Sequence, residues 1–135
     1  ALDTAHGRIG AWRADPPIPP RGALVVVQEI FGVNAHIRSV VERFAAHGFV
    51  ALAPALFDLV EPGVELAYDE PGVARGRELA AAVGFDRAVA SVDAAARELA
   101  TTTDSGKVGV VGYCWGGTVA LLANARLGLP AVDYY

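Results

Sequence analysis

The sequence predicts an α/β fold: a mostly parallel sheet with helices on both faces. Short β-branched apolar runs alternate with segments of helical periodicity, and 53% of the residues are hydrophobic. Strands buried on both faces of a parallel sheet are nearly continuous apolar runs. Their alternation with helices is typical of α/β domains. A length of 135 residues favours one domain, residues 1–135.

The N-terminal third is predicted to hold an edge strand, a buried strand and a helix. Residues 8–13 (RIGAWR) alternate apolar and polar, as edge strands do. The four prolines of residues 14–22 exclude a helix there. Residues 23–27 (ALVVV) form the first buried strand, and a helix then runs to its predicted C-cap at Gly48. The apolar residues at helical spacing are Ile37, Val40, Val41, Phe44 and Ala45.

The rest of the chain continues the alternation. A long irregular stretch, residues 54–72, separates the second buried strand from the following helices, and loops of this length are usually functional. The predicted strands are residues 49–53, 107–111 and 131–135, and the predicted helices are residues 73–83, 86–100 and 118–127.

Composition and charge argue against several classes of protein. The net charge is −4 and no run of basic residues is present, which disfavours nucleic acid and anionic membranes as partners. A single cysteine permits no internal disulfide, which suits a reducing compartment. No apolar stretch approaches the ~18 residues of a membrane span, and no secretory signal is visible. We therefore expect a soluble, cytoplasmic protein.

The single cysteine lies in a motif with chemical meaning. In VGVVGYCWGG (108–117), Cys114 stands between Gly112 and Gly116. Strand, Gly-x-Cys-x-Gly, helix is the pattern of a nucleophile elbow, a sharp turn that lifts the side chain above the sheet. A Cβ at either glycine would collide with this turn, and the N-terminus of the next helix would stabilise a thiolate and an oxyanion. The alternative interpretation is a cysteine that only packs in a glycine-rich turn.

Two other glycine motifs fail in detail. A phosphate-binding loop needs Lys after its second glycine, and residues 112–118 have none. The dinucleotide fingerprint would need glycine where Cys114 stands.

A second motif, QEIFGVN (28–34), begins where the first buried strand ends. Loops at the C-terminal ends of parallel strands line the site, so we expect Glu29 to lie close to Cys114. The backbone amide of Ile30 would then join that of Trp115 in an oxyanion hole. Taken alone, Glu29 could equally cap the following helix or face water.

These two motifs together identify a resemblance. QEIFGVN and GKVGVVGYCWGG (106–117), with APALFD (53–58) and the Tyr134-Tyr135 pair, resemble the dienelactone hydrolase family, the carboxymethylenebutenolidases. The resemblance implies an α/β-hydrolase fold and the opening of a cyclic enol ester, dienelactone, during breakdown of chlorinated aromatics. It also implies a small lactone or ester as substrate, no metal, no cofactor, and a monomer when complete.

The resemblance also implies roles for individual residues. Cys114 would be the nucleophile that forms a thioester, with Glu29 interacting with the thiol to help generate thiolate. An arginine of the segment ARGREL would bind the substrate carboxylate, a contact that suits a guanidinium. Arg77 is the best match and Arg75 is its rival, although either could be a solvated side chain.

Two aromatic residues, Phe31 and Tyr135, could form walls of the pocket or belong to the core.

The family's triad continues with Asp and then His, on loops well after the nucleophile, and this chain extends 21 residues beyond Cys114. Structural roles are expected for His6, His36 and His47, and Asp133 lies one strand too early to be the family's acid. We therefore expect the N-terminal part of a hydrolase domain, ending after the strand that follows the elbow helix. The alternatives are an esterase or thioesterase of the same fold, and a non-catalytic binding or assembly module.

Overall fold

A computed structural model describes residues 1–135 and contains seven strands and three α-helices. The strands are β1 (Leu2–Thr4), β2 (Gly7–Ile9), β3 (Ala11–Ala14), β4 (Gly22–Val27), β5 (Phe49–Pro54), β6 (Val108–Tyr113) and β7 (Ala131–Tyr134). The helices are α1 (Ala35–Ala46), α2 (Glu70–Ala100) and α3 (Trp115–Leu127), with a 3-10 turn at Leu56–Leu59.

The main sheet has the strand order β3-β5-β4-β6-β7. Only β3 runs antiparallel to its neighbour; the other pairings are parallel. From β4 the chain crosses to β5 on one side and then returns to β6 on the other, so the order reverses at β4. In open α/β sheets, ligands bind outside the carboxyl ends of the strands at such a switch point. The carboxyl ends of β4 and β6 therefore frame the candidate site.

Helices cover both faces of the sheet, as the sequence predicts. The larger core lies under α2 and α3, and it contains Val25, Val27 and Val110 from the centre of the sheet. The smaller core lies under α1, where Val26 and Val111 meet Ile37. Neighbouring residues of β4 thus point to opposite faces, which is why ALVVV is apolar throughout.

Helix α2 consists of two segments joined at Gly84, whose backbone is not helical (φ 74°, ψ 161°). This break agrees with the two separate helical segments that the sequence predicts. No helix of the structure, α2 included, has the length and apolarity needed to cross a membrane.

The N-terminal prediction is partly wrong. Residues 8–13 do not form one strand, because the chain breaks at Gly10 into β2 and β3. The Gly10 N–H donates to Asp58 Oδ2 (2.8 Å), and its carbonyl accepts from Ala55 N–H (2.9 Å). Gly10 is therefore bonded to the loop after β5. β3 is an edge strand as predicted, whereas β1, a partner of β2 in a separate hairpin, is not predicted.

Candidate active site

Cys114 occupies a sharp turn between β6 and α3. Its backbone is left-handed (φ 58°, ψ −119°), a conformation rare for residues other than glycine, and its side chain is exposed. Its N–H donates to the Tyr134 carbonyl (2.9 Å), which ties the turn to β7. A Cβ at Gly112 would lie 2.0 Å from the Gly116 carbonyl oxygen, so this turn requires glycine. Strain of this kind clusters at functional sites.

Gly116 brings the start of α3 against the end of β4. A Cβ there would lie 2.2 Å from the Gln28 carbonyl oxygen and 2.5 Å from that of Val27. This close approach places the segment after β4, with Ile30, beside the elbow. The Ile30 N–H donates no hydrogen bond in the structure, and the Trp115 N–H, first in α3, has no acceptor within the helix. Both amides are therefore available to an external acceptor.

The Glu29 carboxylate is buried, with 7% of the residue exposed. Its Oε1 accepts a hydrogen bond from the Tyr68 hydroxyl (3.0 Å) and its Oε2 from the Tyr135 hydroxyl (2.9 Å). No hydrogen bond joins Glu29 to the Cys114 thiol; Tyr135 contacts the carboxylate and also lines the cleft that contains Cys114. Although 79% of Tyr135 is exposed, desolvation of its hydroxyl, together with the hydrogen bond to Glu29 and the negative charge of that carboxylate, raises its pKa to about 12.

A cleft of about 670 Å³ opens over the cysteine. It brings together four sequence-predicted site residues besides Cys114, and most of its other walls are apolar or small. The lining residues are Ile30, Arg77, Ala80, Ala81, Gly84, Phe85, Cys114, Trp115, Thr118 and Tyr135.

The structure separates the two candidate arginines. Arg77 is exposed, makes no hydrogen bond or ion pair, and lines both this cleft and an adjoining groove that contains Phe31 and Tyr68. Arg75 lines neither: its guanidinium pairs with Glu61 (2.9 Å) and Glu78 (3.1 Å). Of the two arginines, only Arg77 brings a guanidinium without an ion pair to the cleft, and Phe31 is a wall of the groove rather than of the cysteine cleft.

No histidine lines the cleft. His6 lies between β1 and β2, His36 packs edge-on against Tyr113 (6.2 Å between ring centroids), and His47 is the C-cap of α1. Asp133 lies on β7, near the first turn of α3 at Gly117. No group of three or more His, Cys, Asp or Glu side chains is arranged to hold a metal ion.

Three residues of the site neighbourhood escape the sequence analysis as individual side chains. Tyr68 and Asn34 form a hydrogen-bonded chain to Glu29. Gln28 is fully buried, and its amide donates to the Glu29 carbonyl (3.0 Å) and accepts from Leu56 N–H (3.1 Å). The long irregular stretch that contains Tyr68 was the only sequence feature that pointed to this residue. Gln28 and Asn34 are the first and last residues of the QEIFGVN motif.

Comparisons with known proteins agree with this architecture. Residues 9–135 match the model of the dienelactone hydrolase family. Over 93% of its length the chain is 37% identical to a carboxymethylenebutenolidase of Pseudomonas putida, covering 55% of that protein. Over 96% it is 35% identical to carboxymethylenebutenolidase 1 of Cupriavidus pinatubonensis, covering 56% of it.

Solved structures give the same result. A protein of Klebsiella pneumoniae, provisionally named a dienelactone hydrolase, superposes with a TM-score of 0.76 at 30% identity, over 93% of this chain and 53% of that one. The chain thus spans about half the length of the relatives it matches. Since the family model matches nearly the whole chain, the chain belongs to the dienelactone hydrolase family and has its α/β-hydrolase fold.

Proposed function

We propose that the protein hydrolyses a small carboxylate-bearing lactone or ester, of the dienelactone type, with Cys114 as nucleophile. The observation that carries the proposal is the exposed Cys114 thiol on a left-handed turn, in one cleft with the unpaired guanidinium of Arg77. The two groups match the two ends of such a substrate, an electrophilic carbonyl and a carboxylate.

The reaction would proceed through a thioester. Cys114 loses its proton to Glu29, and the thiolate attacks the carbonyl carbon. The carbonyl electron pair becomes an oxyanion, for which the Ile30 and Trp115 amides are the donors. Collapse of this intermediate breaks the ring C–O bond and frees an enolate oxygen, still attached to the acyl chain, which takes the proton held by Glu29 and so restores the carboxylate. Water then hydrolyses the thioester and regenerates the thiol; the resemblance assigns this step to the family's Asp and His, on loops well after the nucleophile.

The apolar walls of the cleft favour a second candidate. Ala80, Ala81, Phe85 and Trp115 would accept the acyl or alcohol group of a neutral ester. The protein would then be a general esterase or thioesterase, in which Arg77 contributes little to binding.

One experiment tests both candidates on the full-length protein. Turnover of dienelactone and of p-nitrophenyl acetate is measured for wild type, Cys114→Ala, Arg77→Ala and the matched control Arg75→Ala. We expect Cys114→Ala to lose ~10⁴-fold or more in kcat on both substrates. Arg77→Ala should raise KM for dienelactone by about 10- to 100-fold, because a hydrogen bond to a charged group is lost, and leave the neutral ester unaffected.

The control and the contrary outcomes are distinct. Arg75→Ala should resemble wild type, because exposed ion pairs contribute ~1 kcal/mol or less. Turnover retained in Cys114→Ala would refute the nucleophile, and a full-length wild type without turnover on either substrate would leave the non-catalytic module. An unchanged KM for both substrates in Arg77→Ala would favour the esterase, and equal losses on both would remove Arg77 from the carboxylate site.

A further inference from the structure

The Glu29 carboxylate is held by two neutral donors, the hydroxyls of Tyr68 (3.0 Å) and Tyr135 (2.9 Å), and forms no ion pair. A buried carboxylate without a cation depends on its hydrogen bonds. Its two oxygens have different partners. Oε2 accepts a hydrogen bond from Tyr135, which lines the cysteine cleft, whereas Oε1 accepts one from Tyr68, which does not line it.

The direction of the Tyr68 hydrogen bond is fixed by Asn34. The Asn34 side-chain oxygen caps α1 by accepting from the Ile37 N–H (3.1 Å). Its amide nitrogen therefore faces Tyr68 and donates to the hydroxyl oxygen (3.0 Å). A phenol hydroxyl has one proton, and with Asn34 acting only as donor, that proton is directed to Glu29. The cap of α1 thus orients the donor that holds the carboxylate.

Tyr68 is held by its contacts rather than by burial, since 62% of it is exposed. The loop before it is attached to the segment after β4 by a bridge between Gly32 and Glu65 and by the Leu66 N–H, which donates to the Phe31 carbonyl (2.9 Å). A Cβ at Gly32 (φ +84°) would lie 2.0 Å from the Val64 carbonyl oxygen, so only glycine permits this approach. The Phe31 ring then meets Tyr68 edge-on, 4.5 Å between centroids.

We infer that Tyr68 is a positioning residue for the reaction: oriented by Asn34, its hydroxyl holds Oε1 of Glu29 so that Oε2 faces the cysteine cleft. The inference rests on the proposed function, in which Glu29 takes the Cys114 proton. In that step Oε2 gives up the hydrogen bond from the Tyr135 hydroxyl and takes the Cys114 proton. Without Tyr68 the carboxylate can rotate, and the acceptor is misplaced while the substrate still binds.

The test uses Tyr68→Phe in the full-length protein, which removes the hydroxyl and keeps the ring against Phe31. The matched control is Tyr113→Phe, because the Tyr113 hydroxyl makes no hydrogen bond and its ring stacks on Tyr134 (5.3 Å between centroids). We expect Tyr68→Phe to lower kcat on p-nitrophenyl acetate by about 10- to 100-fold, with KM within ~2-fold of wild type. Tyr113→Phe should match wild type.

A double-mutant cycle with Glu29→Gln separates positioning from general damage. If Tyr68 acts through Glu29, Tyr68→Phe should cost no further kcat once the carboxylate is gone. A multiplicative loss in the Glu29→Gln background would overturn the inference, as would a wild-type kcat in Tyr68→Phe. Should Tyr68→Phe not fold, Asn34→Ser decides: serine keeps the α1 cap and removes only the donor to Tyr68. A loss of kcat at an unchanged unfolding midpoint supports the inference, and an unchanged kcat refutes it.

The inference and the proposed function fail differently. Full turnover in Cys114→Ala or Glu29→Gln would refute the proposed chemistry. If turnover is lost in both of these variants but stays at the wild-type level in Tyr68→Phe, the inference is refuted and the proposed chemistry stands.

Discussion

Replacing Gly116 with alanine tests whether the contact between α3 and β4 sets the geometry of the site. Helix propensity alone predicts a gain of about 1 kcal/mol for this change. The structure predicts the opposite, because the new Cβ would lie 2.2 Å and 2.5 Å from two backbone carbonyl oxygens. To restore even a 3.0 Å contact, α3 must retreat by about 0.8 Å. Overpacking of this kind costs ~1–3 kcal/mol of unfolding free energy.

The displacement should affect activity as well as stability. The Trp115 N–H is one residue from Gly116, so it moves with the helix relative to the Ile30 N–H. Misplacement of a catalytic group by ~1 Å can cost about 100-fold in rate, which corresponds to ~2.7 kcal/mol of transition-state stabilisation. We expect Gly116→Ala to lower kcat by about this factor.

The assay pairs p-nitrophenyl acetate turnover with urea unfolding. The matched control is Gly109→Ala in β6, where a Cβ would meet the end of the flexible Leu24 side chain at 3.3 Å and the Pro130 carbonyl oxygen at an ordinary contact distance of 3.5 Å. This control should stay within ~0.5 kcal/mol of wild type in stability and keep its kcat. A wild-type kcat in Gly116→Ala would refute the claim that the contact between α3 and β4 positions the two amides. A free energy of unfolding above that of wild type would refute the steric overlap of the new Cβ with the carbonyl oxygens.

Two further predictions concern Gln28 and Tyr135. Gln28→Leu should lower the free energy of unfolding by ~1–3 kcal/mol, because the buried Leu56 N–H loses its acceptor; an unchanged urea midpoint would contradict this. Because the pKa of Tyr135 is raised to about 12, the folded protein binds this proton more tightly than the unfolded chain. Its contribution to stability is therefore present below pH ~10 and is lost as the pH rises towards 12. The phenolate absorbance should appear correspondingly late in wild type, and Tyr135→Phe should lack this late titration; a Tyr135 that titrates as an ordinary tyrosine would refute the assignment.

The central strands could be predicted from sequence because a parallel strand buried on both faces has few alternatives to β-branched residues. ALVVV and VGVVG therefore identify β4 and β6, and the glycine-boxed Cys114 identifies the turn after β6. The hairpin of β1 and β2 could not be predicted in this way. Three-residue strands carry too little periodicity, and the break at Gly10 depends on Asp58, 48 residues away.

The candidate site was predictable where it rests on strand ends and unpredictable where it rests on loops. Glu29 and Cys114 follow neighbouring strands, so topology alone brings their segments together. Arg75 and Arg77 lie two positions apart, on different sides of a helix, and the side facing the cleft is set by tertiary packing. The hydrogen bond from Tyr68 to Glu29 depends on the path of a long loop, which no local pattern encodes.

The stacking of Trp115 gives this protein an optical reporter of its own. Its indole packs near the rings of Phe57 (5.8 Å between centroids) and Phe85 (6.4 Å), one residue from the thiol. The other tryptophan, Trp12, lies on the edge strand β3 beneath the Arg38 guanidinium (5.5 Å). Iodide should quench the emission of the edge indole first, since Trp12 is the more exposed of the two. Trp115 should therefore report acylation of Cys114 and Trp12 should report fraying of the sheet edge, so that fluorescence can follow the two events separately in one unlabelled sample.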